Sequence, residues 1–168
     1  MRTIYTIGYE GSNAGDFVAT LKLVGIETLV DVRALPISRK PGFSKRSLSD
    51  ILVIGGVRYV HVPALGDPKP GRDAARAGDL LTFRKVFGRH LGLAEPRAAL
   101  VELAQLATES TVCLLCFERD HACCHRGMIA DVLRESGNFQ IKNIGVRAGL
   151  EKLQEAKRVA IAGNHQVG

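Results

Sequence analysis

Two short segments carry most of the reactive side chains in this 168-residue chain. Val112-Cys113-Leu114-Leu115-Cys116-Phe117-Glu118 is an apolar run that turns polar at its end, and Cys123-Cys124-His125-Arg126 follows after a short polar turn. The first reads as a buried strand that delivers Cys116 and Glu118 to its C-terminal edge. The second reads as the head of a helix, where the helix dipole, His125 and Arg126 all favour the thiolate of Cys124. Such a thiolate attacks an electrophile, pairs with Cys123 or Cys116, or binds metal. In an open parallel sheet, ligands sit where strand ends meet helix N-termini, so both segments are expected to face one crevice. Cys113, deeper in the strand, is expected to be a small core residue.

Other strand ends add polar groups to the same edge. Asp31 and Arg33 lie two apart on a strand and so point to one face. They either neutralise each other as an internal salt bridge, or Asp31 acts as a base while Arg33 clamps an anion with its planar fork. Tyr9 stands in a Gly8-Tyr9-Glu10-Gly11 turn that lacks the third glycine of a dinucleotide fingerprint. Ser38 belongs to Pro36-Ile37-Ser38-Arg39-Lys40-Pro41-Gly42-Phe43, a stiff loop with a hydroxyl, cations and a ring, the types that contact phosphates and bases. Two sharper motifs fail on local grounds. Cys113-x5-Arg119 has the spacing of a phosphatase loop, but its first half is an apolar strand without glycine. Cys113-x-x-Cys116 has zinc-knuckle spacing, but residues three apart on a strand project to opposite faces. Cys116 with Cys123 or Cys124 and His125 remains an alternative zinc set, so no cofactor is expected, with zinc as the exception.

Positioning these groups requires a particular order of elements. Residues 3–7, 28–33, 57–62, 112–117 and 139–144 read as strands from their β-branched and apolar runs. Helical spacing covers 16–24, 47–54, 82–91, 96–108, 127–133 and 148–159. The alternation predicts an α/β fold, a single-domain three-layer sandwich with a mostly parallel central sheet of about five strands and right-handed crossovers. Residues 63–79, with three prolines and three glycines, read as a long loop. One domain is expected over 1–162, with a frayed tail over 163–168.

The charge is uneven. Between Arg33 and Arg89 twelve basic residues stand against four acidic ones, while the whole chain carries a formal +6. That excess suits a polyanion or a phosphorylated small molecule, or forms a solvated basic face. The start of the chain has no signal-peptide pattern and no run is long enough to cross a bilayer, so no membrane association and a cytoplasmic location are expected. In a reducing compartment the four cysteines are expected to be free thiols, metal ligands or a redox pair.

With these motifs assembled, the chain resembles a widespread prokaryotic family known as domain of unknown function 488. The landmarks are Thr6-Ile7-Gly8-Tyr9, Asp31-Val32-Arg33 with Pro36, Ser38 and Phe43, Gly56-Val57-Arg58-Tyr59 before Leu65-Gly66, Leu114-Leu115-Cys116-Phe117-Glu118, and Cys124-His125-Arg126. The resemblance implies a single α/β domain and places Tyr9, Asp31, Arg33, Ser38, Cys116, Glu118, Cys124, His125 and Arg126 at motif positions, without a reaction. Asp67 departs from the pattern, which often has a second glycine there. The leading expectation is an enzyme acting on a phosphorylated, nucleotide-like or nucleic-acid substrate. Arg33 and Arg126 bind the anion together with Tyr9, Ser38 and Cys116, Cys124 is nucleophile or redox thiol, and Asp31, Glu118 or His125 handles protons. The alternatives are a noncatalytic nucleic-acid-binding module and a thiol redox or metal sensor. The oligomeric state is not legible.

Overall fold

In the computed structural model, which describes residues 1–164, the apolar runs form five strands: β1 (Arg2–Gly8), β2 (Thr28–Asp31), β3 (Arg58–His61), β4 (Val112–Cys116) and β5 (Phe139–Ile144). Between and after them run α1 (Ala14–Val24), α2 (Lys45–Ile54), α3 (Lys69–Arg76), α4 (Leu80–Leu91), α5 (Ala94–Glu109), α6 (His125–Glu135) and α7 (Leu150–Asn164). The strands pair in the order β3-β2-β4-β1-β5 and every pair is parallel, so the expected three-layer α/β sandwich with a parallel sheet is what forms. All five residues of β4 are buried, as a central strand covered on both faces requires.

Alternation along the strands divides the core in two. Ile4, Val30, Val32, Val112 and Leu114 pack with Phe83, Phe87, Leu103 and Ile129 of α4, α5 and α6. Ile7, Leu29, Cys113 and Leu115 pack on the other face with Phe17, Leu21, Leu48 and Leu52 of α1 and α2. Cys113 is therefore the small core residue its position suggested. The neighbours β2 and β4 lead to helices on opposite faces, β2 to α2 and β4 to α6. Their C-terminal ends part company and open a crevice between them, the usual place for a ligand in such sheets.

One expectation needs correction. Residues 63–79 are not a structureless loop: Pro63–Leu65 makes a 3-10 turn and Lys69–Arg76 is helical. Pro70 sits at the second helical position, where a missing N–H costs nothing. Gly71 is in the first turn because a Cβ there would fall on the Asp67 carboxylate. At the other end of the chain, α7 continues through Asn164, and the rest of the tail read over 163–168 lies outside the described residues. No helix among the described residues is long and apolar enough to cross a membrane.

Candidate functional site

The site is built where β1, β2 and β4 end. Gly8 closes β1 so near the next loop that a Cβ would land on the carbonyl oxygen of Glu118. That carbonyl is held from the other side by Arg126, whose guanidinium also donates to the carbonyl of Arg119 and to Thr6 Oγ1. Arg126 is 1% exposed. It therefore fastens residues 118 and 119 to β1 and α6 rather than facing solvent as an anion clamp, and it does not border the cavity described below.

On one face of the edge lies an ionic cluster. Arg33 Nε and NH2 donate to the two oxygens of Asp31 at 2.9 and 2.7 Å, a bidentate pair in which Asp31 is fully buried. Arg33 NH1 donates to Tyr9 Oη at 3.0 Å and to the Phe43 carbonyl at 2.8 Å, and Tyr59 Oη donates to Asp31 Oδ2 at 2.6 Å. Tyr9 stacks on Phe43 with centroids 4.3 Å apart. Burial pulls the Arg33 guanidinium down, but the hydrogen bonds and charge of Asp31 outweigh it and hold Arg33 above its ordinary value. Burial, with the hydrogen bond to Asp31, pushes the Tyr59 hydroxyl up. Of the two readings of Asp31 and Arg33, the internal salt bridge is the one that forms. Both oxygens of Asp31 are spoken for, which leaves no lone pair facing a substrate.

On the opposite face lies a sulfur–imidazole cluster. Cys116 ends β4, Cys124 is the N-cap of α6 and His125 is its first residue. His125 Nε2 donates to the Val32 carbonyl at 2.7 Å, which turns Nδ1 toward Cys116 Sγ at 3.5 Å and Cys124 Sγ at 3.7 Å. Cys116 also donates to Glu118 Oε2 at 2.8 Å. All four cysteines are free thiols, and Cys123 is outside the cluster, half-buried beside Asp120.

The electrostatics of the cluster differ from the depressed thiol expected at a helix N-terminus. Burial pushes Cys116 and Cys124 up; at Cys124 burial and the neighbouring Cys116 sulfur together exceed what His125 returns and hold the thiol well above its ordinary range. Arg126, which was expected to help, has its guanidinium committed to the carbonyls. Burial also works to raise Glu118, but hydrogen bonds from the thiols and the nearby imidazole hold it below its ordinary value. Burial works to lower His125, and its contacts with the Cys124 sulfur, the Val32 carbonyl and the Glu118 carboxylate outweigh it and hold the imidazole above its ordinary value.

Both clusters border one cavity of about 900 Å³. Of the expected site residues, Tyr9, Arg33, Ser38, Cys116, Glu118, Cys124 and His125 line it, and Asp31 and Arg126 do not. Ser38 is half-buried in its lining, and its Oγ accepts from the Lys40 amide. The cavity also takes in groups outside the expected set of site residues: Arg39, Arg72 and Arg76 supply cations, Phe83 and Phe117 supply rings, and Asp67 supplies a carboxylate. Arg72 and Arg76 come from α3, which was hidden in the segment read as a loop; helical spacing of four residues was the signal that places them on one face.

Asp67 is 4% exposed, and its Oδ1 has no hydrogen-bond partner. Burial raises its carboxyl to about 6, against the pull of His125 and Arg72. An acid raised in the fold holds its proton where the unfolded chain has already released it. Asp67 should therefore lower stability progressively as pH rises from about 4 to about 6, and leave it flat above. The shift sets an upper bound of about 3 kcal/mol. The carboxyl borders an open cavity, so solvent screening brings the expected effect to about 1–2 kcal/mol. Asp67→Asn should be more stable than the parent by that amount at pH 7.5 and equal to it at pH 4. Urea denaturation of both proteins across this range checks it, and a constant difference between the two curves would contradict it.

Fold and site together define a class: a three-layer α/β sandwich on a parallel sheet, with a buried thiol–imidazole cluster beside a cation-bearing cavity at the C-terminal edge of the sheet. A model of the family described as domain of unknown function DUF488 matches residues 13–133, and the chain belongs to that family. Comparisons with curated proteins and with solved structures found no match.

Proposed function

We propose that the protein is an enzyme that acts on a small phosphorylated or nucleotide-like substrate, with Cys116, Cys124 and His125 as its reactive centre. The observation that carries this reading is the composition of the cavity. Reactive groups form one wall, Arg39, Arg72 and Arg76 bring positive charge to it, and Tyr9, Phe83, Phe117, Leu35 and Ile37 offer apolar and aromatic surface. Its volume of about 900 Å³ falls within the range of small-molecule sites. In this reading the three rim arginines bind the anion and the rings receive a base or other flat group. Cys124 and His125 meet the reacting atoms, and Glu118 moves a proton. Asp31, Arg33 and Arg126 act as positioning residues, because their polar atoms are already committed.

Calorimetric titration with nucleoside mono- and diphosphates and with sugar phosphates tests the binding half. The wild type is expected to bind at least one of these classes, and Arg39→Ala with Arg76→Ala is expected to weaken that binding by more than about tenfold, the effect of losing charge-assisted hydrogen bonds. Cys124→Ala should keep the affinity and lose turnover of the bound compound. If no phosphorylated compound binds while oligonucleotides do so with a steep salt dependence that survives Cys124→Ala, the noncatalytic nucleic-acid module replaces this reading.

A further inference from the structure

We propose that Cys116, Cys124 and His125 form a binding site for a zinc-class divalent cation, with a fourth coordination position open to the cavity. The assignment goes beyond the enzyme reading and does not depend on it.

The distances carry the argument. A tetrahedral ion with a Zn–S bond near 2.3 Å and a Zn–N bond near 2.0 Å sets sulfur and nitrogen about 3.5 Å apart. His125 Nδ1 lies 3.5 Å from Cys116 Sγ and 3.7 Å from Cys124 Sγ, and the three donor atoms all lie within 4.8 Å of one another. The ligands come from rigid places: the last residue of a buried central strand, and the N-cap and first residue of a helix. Little motion is needed to close them on an ion.

The imidazole is oriented as a ligand requires. Its Nε2–H is held by the Val32 carbonyl at 2.7 Å, which leaves Nδ1 as the atom that exchanges a proton for a metal. A metal-bound histidine nearly always has its second nitrogen fixed in this way. Two thiolates and an imidazole select zinc over magnesium or calcium, which prefer oxygen donors. Coordination replaces the two thiol protons and the Nδ1 proton, all of which leave to solvent, and the two positive charges of the ion neutralise the two thiolates so formed.

A second feature points to a ligand beyond the protein. Asp67 Oδ1 is buried, borders the same cavity and has no hydrogen-bond partner. Three protein ligands and a free fourth position are the pattern of catalytic zinc, where a water occupies the open place. Asp67 and Glu118 are the two carboxylates that line this cavity beside His125, and a metal-bound water supplies the donor that Asp67 lacks. Cys123 contributes nothing, since its sulfur turns to Asp120.

The test uses the whole chain purified under reducing conditions, stripped with a chelator, and titrated with Co²⁺ and then Zn²⁺. One equivalent of Co²⁺ is expected to give a sulfur-to-cobalt charge-transfer band together with the visible bands of a tetrahedral ion, and Zn²⁺ is expected to bleach both. Zinc should slow alkylation of Cys116 and Cys124 by more than about tenfold and leave Cys123 unchanged, as peptide mass spectrometry reads it. Cys116→Ser and Cys124→Ser should lose the band, and Cys123→Ser should keep it. A stripped chain that unfolds and refolds with zinc supports the assignment equally. A stripped wild type that stays folded, shows no charge-transfer band and alkylates at one rate with and without zinc overturns it, whatever the serine variants do. Anion binding without cobalt binding would remove the metal alone; cobalt binding without affinity for any phosphorylated compound would remove the enzyme reading alone.

Discussion

Asp31→Ala is expected to destabilise the protein by about 3–5 kcal/mol, the range measured when one partner of a buried ion pair is removed. The cost comes from what remains. Arg33 is 6% exposed, and without Asp31 its guanidinium keeps only the Tyr9 hydroxyl and the Phe43 carbonyl as acceptors. The Tyr59 hydroxyl loses its acceptor as well. Against a total stability of about 5–15 kcal/mol for a domain of ordinary size, such a loss leaves little margin. Replacing both residues, Asp31→Leu with Arg33→Met, should recover much of it, because an apolar pair of similar volume needs no compensating charge. Urea denaturation of the two single variants and the double variant gives the coupling, expected above about 2 kcal/mol. Additive losses would mean that the two residues act independently and that the bidentate pair is not what holds the loop at residues 33–44.

That pair shows what a sequence can and cannot reveal. Spacing two apart on a strand puts Asp31 and Arg33 on one face, and the structure agrees; spacing says nothing about whether their charges meet each other or a substrate. The parallel sheet was legible because each strand is a β-branched or apolar run and helical periods separate them. The central place of β4 was legible from five consecutive apolar residues. The helix at Lys69–Arg76 was not, since Pro68, Pro70 and Gly71 are loop formers in general and helix starters only in this arrangement. With that helix went Arg72 and Arg76, two of the cations that border the cavity. Cys116, Cys124 and His125 were legible as a group because strand ends and helix starts converge in any parallel sheet. The raised thiols were not, since the helix dipole is visible in a sequence and the depth of burial is not. Asp67 stood out only as a departure from a motif, although a carboxylate ahead of Pro68 in a basic stretch is a signal in its own right.

Clustering with Cys124 and His125 at the head of a helix makes Arg126 an anion binder in the sequence. The structure instead gives it three internal acceptors. Arg126→Met should therefore cost about 3 kcal/mol, since it strands the carbonyls of Glu118 and Arg119, each worth about 1–3 kcal/mol when buried without a donor. Arg126→Lys keeps the charge but not the planar fork, and a single ammonium nitrogen with a shorter reach than NH1 and NH2 does not satisfy the same three acceptors. It should lose nearly as much. The damage should also be local. The Glu118 carbonyl is pressed against Gly8 on one side and held by Arg126 on the other, so releasing it loosens the segment from 117 to 124 that joins Cys116 to Cys124. Hydrogen exchange in those residues should quicken in Arg126→Lys while amides of β4 keep their protection. The alkylation rate of Cys124 should rise with it, because its burial depends on that segment closing. A lysine variant as stable as the parent, with exchange unchanged between 117 and 124, would return Arg126 to the role of a clamp with its charge free to meet a ligand.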